Sequence, residues 1–82
     1  MVLLPLRNDL QDYMRHRKLE KKSAGACLFF ERDMRHPSLA MELLEPHWRG
    51  IYSFRIDKKY RAIFFLRGSV AEVFSITNHY KK

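Results

Sequence analysis

The feature that most constrains this chain is a change of hydrophobic period at Pro46. Before it, apolar residues recur at helical spacing. After it, Gly50 to Asp57, Lys59 to Leu66 and Val70 to Thr77 are dense in β-branched, aromatic and arginine residues, the signature of strands. Only Asp57-Lys58-Lys59 and Arg67-Gly68-Ser69 separate these segments. Spacers so short permit hairpins and nothing longer, so the three segments predict an antiparallel meander.

The N-terminal half supplies the layer that covers this sheet. From Asn8, read as an N-cap, Leu10, Tyr13, Met14 and Arg17 follow at helical spacing, predicting a first helix that ends near Lys18. A second helix is predicted from Leu19 to Met34, with Ala24, Cys27, Leu28 and Glu31 on one stripe and Ala26, Phe29 and Phe30 widening it. The pair His36-Pro37 stops it, because the residue before proline is driven out of the helical region. A turn over Ser38 to Leu44 follows, and Val2 to Leu4 allow a short strand ended by Pro5. The expected fold is α+β: two N-terminal helices on one face of a small twisted antiparallel sheet.

With 82 residues there is room for one thin core, so a single domain over residues 1–82 is expected. Six Phe, four Tyr and one Trp, within a 46% hydrophobic chain, exclude a disordered basic tail. The single cysteine, Cys27, makes no internal disulfide and points to a reducing compartment, the cytoplasm. The apolar run Met1 to Leu6 is too short for a signal-peptide core or a membrane span. Sixteen Lys plus Arg against nine Asp plus Glu give a net charge of +7, which attracts polyanions: nucleic acid, or an acidic protein.

Three-residue loops in both hairpins set Ile56 against Tyr60 and Leu66 against Val70. One sheet face then carries Tyr52, Phe54, Ile56, Tyr60, Ala62, Phe64, Leu66, Val70, Glu72, Phe74 and Ile76, and packs on the helices. The other carries Ile51, Ser53, Arg55, Arg61, Ile63, Phe65, Ala71, Val73, Ser75 and Thr77, with His79 just beyond, and faces a ligand or partner. Arg55 and Arg61 fall opposite each other, an unfavourable like-charge pair unless an anion such as phosphate lies between them or Asp57 or Glu72 neutralises one.

His79, near two arginines, is a candidate for moving a proton at neutral pH. Glu42, on the turn before the sheet, is close enough in sequence to reach the sheet's open edge. Trp48 and Tyr52, flanking Gly50, are candidates for stacking on bases, with hairpin packing preferred for Tyr52. Arg15, Arg17, Lys18, Lys21 and Lys22 form a basic run suited to nucleic-acid backbone. No metal is expected, since His16, His36, His47 and His79 show no paired spacing and Cys27 stands alone. On its helix stripe Cys27 reads as a buried, inert thiol.

The stretches His36-Pro37-Ser38-Leu39, Glu42 to Pro46, Gly50 to Asp57, Lys59 to Phe64 and Asn78-His79-Tyr80 resemble the RelE/ParE superfamily of toxins from prokaryotic type II toxin-antitoxin systems. The resemblance covers nearly the whole chain and is strongest from His36 onward. It implies helices packed on a twisted sheet whose open face holds the active site. For the RelE branch it implies cleavage of mRNA in the A site of the 70S ribosome, with the RNA's 2′-hydroxyl as nucleophile and no metal or other cofactor. The products would be a 2′,3′-cyclic phosphate, or its opened form, and a 5′-hydroxyl.

Residue by residue, the resemblance places Arg61 as the arginine that stabilises the phosphorane. His79 would be the general acid in a His-Tyr ending completed by Tyr80, Glu42 the general base, and Arg55 a second phosphate contact. Glu45 is a substitute for Glu42, and Lys58 and Lys59 suggest the lysine-rich strategy of other RelE members. A cognate antitoxin, acidic where it covers this surface, is implied as partner. The alternatives are a ParE-like inhibitor of DNA gyrase and a degenerate toxin kept as a binding domain.

Overall fold

The structure, a computed structural model, describes residues 2–78. In chain order it runs β1 (Val2–Leu3), α1 (Asn8–His16), α2 (Glu20–Arg32), a 3-10 turn (Pro37–Leu39), β2 (Glu42–Leu43), a second 3-10 turn (His47–Arg49), β3 (Ile51–Arg55), β4 (Arg61–Arg67) and β5 (Val70–Thr77). The strands form one sheet in the order β1-β5-β4-β3-β2. The expected meander is β3-β4-β5. Its neighbours are β1, which pairs with β5 in parallel, and β2, antiparallel to β3 within the segment expected to be a turn. The α+β expectation therefore holds, in a mixed five-stranded sheet with both helices in the sequence before β2.

The helices are shorter than their patterns suggest. Arg7, in extended backbone, is the residue before α1, where Asn8 was expected. Arg7 does the tying down through its side chain, which bonds Asp9 and donates to the carbonyl of Phe74. Leu10 and Met14 are buried, as the first stripe predicted. The chain leaves α1 through Lys18 at φ 56°, where the amide of Leu19 donates to the carbonyl of Met14. That left-handed position usually belongs to glycine, and a side chain there is disfavoured by roughly 1–2 kcal/mol.

In α2 the buried residues are Ser23, Ala26 and Phe30, preceded by buried Leu19. Ala24, Leu28 and Glu31 face outward and Cys27 is half-buried, so the helix is turned from the predicted stripe. Its end is set before His36-Pro37: Asp33 is extended, and its carboxylate accepts the amide of Arg35, a local bond that competes with continued helix. His36 instead caps the 3-10 turn, its Nδ1 accepting the amide of Ser38, while its ring stacks on Phe29.

Phe30 is fully buried between Phe54 (5.3 Å) and Phe64 (5.1 Å), the aromatic centre of the core. Leu39 closes the core below the first 3-10 turn. Burial of about 1.5–3 kcal/mol per large apolar side chain drives this packing.

The β3–β4 register is the expected one, with Phe54 opposite Ala62 and Arg55 opposite Arg61. The β4–β5 register is not. Leu66 faces Ala71, not Val70, across a two-residue turn entered through Gly68 at φ 60°. A bulge between Ile63 and Phe64 then restores the parity further on, so that Ala62 faces Ile76. Ala71 and Val73 are consequently buried, while Glu72 and Phe74 leave the core-facing set predicted for them. The carbonyl that receives Arg7 belongs to Phe74, next to this irregularity. Among the described residues, no helix is long and apolar enough to cross a membrane.

Candidate active site

The open face of the sheet is organised in rows across the strands. One row is Arg55, Arg61 and Thr77; the next is Glu42, Ser53, Ile63 and Ser75; a third is Ile51, Phe65 and Glu72. The first two rows carry the polar chemistry. They open into a cleft of about 470 Å³ lined by Ala40, Glu42, Arg55, Asp57, Lys58, Lys59, Arg61 and Asn78.

Arg61 is its centre. Although an arginine, it is only 6% exposed. Its Nε donates to the Ser53 hydroxyl at 3.0 Å, and its Nη2 donates to the carbonyl of Ala40 and, at 3.4 Å, to that of Ser53. Ser53, its diagonal neighbour on β3, is itself fully buried. Ala40 sits at φ 42°, a left-handed conformation unfavourable for alanine, two residues before Glu42. Arg61 therefore ties the segment that carries Glu42 to the middle of the sheet. Burial lowers the pKa of its guanidinium, the nearby carboxylate of Glu42 acts in the opposite sense, and Arg55 lowers it further. At neutral pH it is a charged group in a poorly solvated place, the setting in which a cation acts most strongly on a developing anion.

The like-charge pair is thus resolved by division: Arg61 folds inward onto backbone and hydroxyl acceptors, and Arg55 stays exposed on the cleft wall. The carboxylates considered for neutralising it pair elsewhere, Glu72 with Arg67 (3.1 Å) and Asp57 with Lys22 (3.5 Å).

Asp57 shapes the turn that holds Lys58 and Lys59 at the rim. Its Oδ1 accepts the amides of Lys59 (2.8 Å) and Tyr60 (2.9 Å). Burial raises its pKa, but these two amides and the charge of Lys22 outweigh that effect and hold the carboxyl below its ordinary value. A carboxyl depressed on folding contributes stability that is complete above its unfolded pKa of about 4 and is lost as pH falls through the lower folded value. In an acid titration followed by NMR, the amides of Lys59 and Tyr60 should shift together with a midpoint below about 4. A midpoint at or above that value would mean that the carboxylate does not anchor the turn.

A broader groove of about 780 Å³ adjoins the cleft, sharing Arg55, Asp57, Lys58 and Lys59 and extending to Arg17, Lys18 and Lys22. Arg17 is held there, 3.7 Å above the Tyr13 ring. Two members of the predicted basic run do not join it. Arg15 pairs with Asp12 (2.6 Å) and lines a separate groove between the helices, and Lys21 lines neither basic recess. Glu45 lies outside the cleft beside His47, so Glu42, on β2 rather than on a turn, is the glutamate of this site. His79 and Tyr80 lie outside the described residues. Cys27 is half-buried, with burial raising the pKa of its thiol.

Ser53 and Ala40 were not singled out from sequence. A serine inside a strand carries no signal by itself; only its diagonal relation to Arg61 on the open face does.

No family model matches the chain, and no curated protein does. Solved structures do. A YoeB/ParE toxin from Agrobacterium tumefaciens superposes with a TM-score of 0.72 at 20% identity, covering 98% of this chain and all of that one. The YoeB dimer from Staphylococcus aureus gives 0.65 at 21%, covering 96% and 94%. The heterotetrameric YoeB-YefM toxin-antitoxin complex from the same organism gives 0.68 at 21%, with the same coverage. The fold is that of these YoeB and YoeB/ParE toxins.

Proposed function

We propose that this chain is the toxin of a toxin-antitoxin pair and an endoribonuclease that cuts mRNA on the ribosome. The observation that carries the reading is the buried Arg61 beside Glu42 and Arg55 in one polar cleft, on the face where this fold has room for a ligand.

The chemistry follows from the placement. Glu42 takes the proton of the 2′-hydroxyl, whose oxygen attacks the adjacent phosphorus. Arg61, preorganised by Ser53 and Ala40, stabilises the charge that grows on the equatorial oxygens, and Arg55 holds the phosphate from the exposed side. His79 protonates the departing 5′-oxygen; it is peptide-bonded to Asn78, which lines the cleft. The bond from phosphorus to the 5′-oxygen breaks, leaving a 2′,3′-cyclic phosphate and a 5′-hydroxyl. Tyr80 completes the His-Tyr ending, and Lys58 and Lys59 add positive potential at the rim. Arg17, Lys18 and Lys22 contact nucleic-acid backbone along the adjoining groove, with Arg15 and Lys21 adding to the general field.

The partner is an antitoxin. The S. aureus neighbours include YoeB-YefM complexes, which supports a protein inhibitor for this chain too. A reducing, cytoplasmic setting is consistent with the substrate.

The test is to add the purified protein to translating ribosomes and map mRNA ends. Cuts within the A-site codon bearing 5′-hydroxyl ends are expected. Intact mRNA would overturn the reading, and loss of gyrase supercoiling in its place would assign the fold to a ParE-like role.

A further inference from the structure

Trp48, the only tryptophan of the chain, is 85% exposed. The turn presenting it is well defined. The amide of Arg49 donates to the carbonyl of Pro46 (3.1 Å), that of Gly50 to His47 (3.2 Å), and Gly50 at φ 65° redirects the chain into β3. Arg49 follows Trp48 in the chain, and His47, 4.0 Å from the Glu45 carboxylate, precedes it. Inboard of the turn, the sheet's open face changes character. Ile51, Ile63 and Phe74, with Leu44, Glu45 and Arg49, line a small groove of about 140 Å³ at the end opposite the polar cleft. Between Ile51, at the foot of the turn, and Arg55, in the cleft, β3 runs about 13 Å. A few nucleotides of extended single strand span that distance.

We infer that Trp48 is a base-stacking residue, holding a nucleobase of single-stranded RNA a few nucleotides from the phosphate bound at Arg55 and Arg61. This rests on the reading of the cleft as an RNA site. A large, flat, exposed indole, next to Arg49 in sequence and about 13 Å of strand from a cationic cleft in a chain of net charge +7, matches a polyanion that carries aromatic rings. Stacking tolerates any base, so Trp48 contributes affinity and alignment rather than sequence choice. Tyr52, the other aromatic flanking Gly50, is spent on packing: its ring stacks on Phe64 at 5.5 Å.

Being the sole tryptophan, Trp48 is its own probe. The ligand is a short single-stranded 2′-O-methyl RNA, which binds but offers no free 2′-hydroxyl for attack. An abasic backbone of equal length is the control. The RNA should quench Trp48 fluorescence and bind about tenfold more tightly than the abasic strand, within the range of a single base-aromatic stack. Trp48→Ala should bind both strands equally, at the abasic level, and Trp48→Phe should keep most of the preference. Equal binding of the two strands by the wild type, no quenching, or undiminished RNA affinity in Trp48→Ala would overturn the inference. Quenching by the cognate antitoxin but not by RNA would overturn it in favour of a protein contact. A-site cutting without base-dependent quenching rejects the stacking role alone; Trp48-dependent binding without cutting rejects the cleavage reading alone.

Discussion

Replacing Arg61 with alanine should lower the rate of A-site mRNA cleavage by about 10²–10³-fold, the usual effect of removing one preorganised charge partner from a transition state. The structure makes the expectation sharper. Arg61 also bonds the carbonyls of Ala40 and Ser53 and the Ser53 hydroxyl, so its loss releases the strained segment leading to Glu42. Arg61→Lys should fail nearly as badly, because an ammonium is a point charge and cannot reproduce a planar fork reaching acceptors on two segments. Ribosome binding, which the proposed function assigns to the basic groove, should change little in either variant. Primer extension on translating ribosomes, paired with a salt-dependent pelleting assay, separates the two effects. Full cutting by Arg61→Ala would remove this residue from the chemistry.

The second large effect concerns stability. Phe30→Ala empties the space between Phe54 and Phe64 and should destabilise the protein by about 3–5 kcal/mol. A native chain of this size has roughly 5–15 kcal/mol in total, and a small core sits toward the lower end. Most of the variant should be unfolded at 37 °C or close to it. Phe30→Leu, which retains most of the apolar volume, should lose only about 1–2 kcal/mol. Urea titration followed by circular dichroism gives both values. A midpoint for Phe30→Ala within error of the wild type would mean that the core is centred elsewhere.

The parts legible in the sequence were those with one dominant signal. The β3–β4 hairpin, with Arg55 facing Arg61, followed from alternation on both sides of Asp57-Lys58-Lys59. The β4–β5 register did not follow, because apolar residues occupy both parities from Val70 to Phe74 and alternation cannot choose between them. The two-residue turn and the bulge decide instead. The face of α2 was equally underdetermined: Ala24, Ala26, Cys27, Leu28, Phe29 and Phe30 surround much of the helix, and packing against Phe54 and Phe64 selects Ala26 and Phe30. Strand β2 is two residues long, below any periodic signal. In the candidate site, Arg55, Arg61 and Glu42 were all found from sequence and meet in one cleft, whereas Ala40 enters only through a backbone carbonyl, which no side-chain pattern encodes.

The parallel pairing of β1 with β5 has a consequence for how the chain acquires its shape. Val2 meets Val70 across 68 positions of sequence, the most distant ladder among the described residues, and β5 is also the partner of β4. Closing so long a loop is entropically unfavourable until nearer contacts exist, so this ladder should form late. During synthesis, β1 and β4 each wait with an open edge for the same late-arriving strand. Arg61, on β4, therefore waits for its neighbour Thr77 as well, and the cleft is assembled only once β5 has emerged.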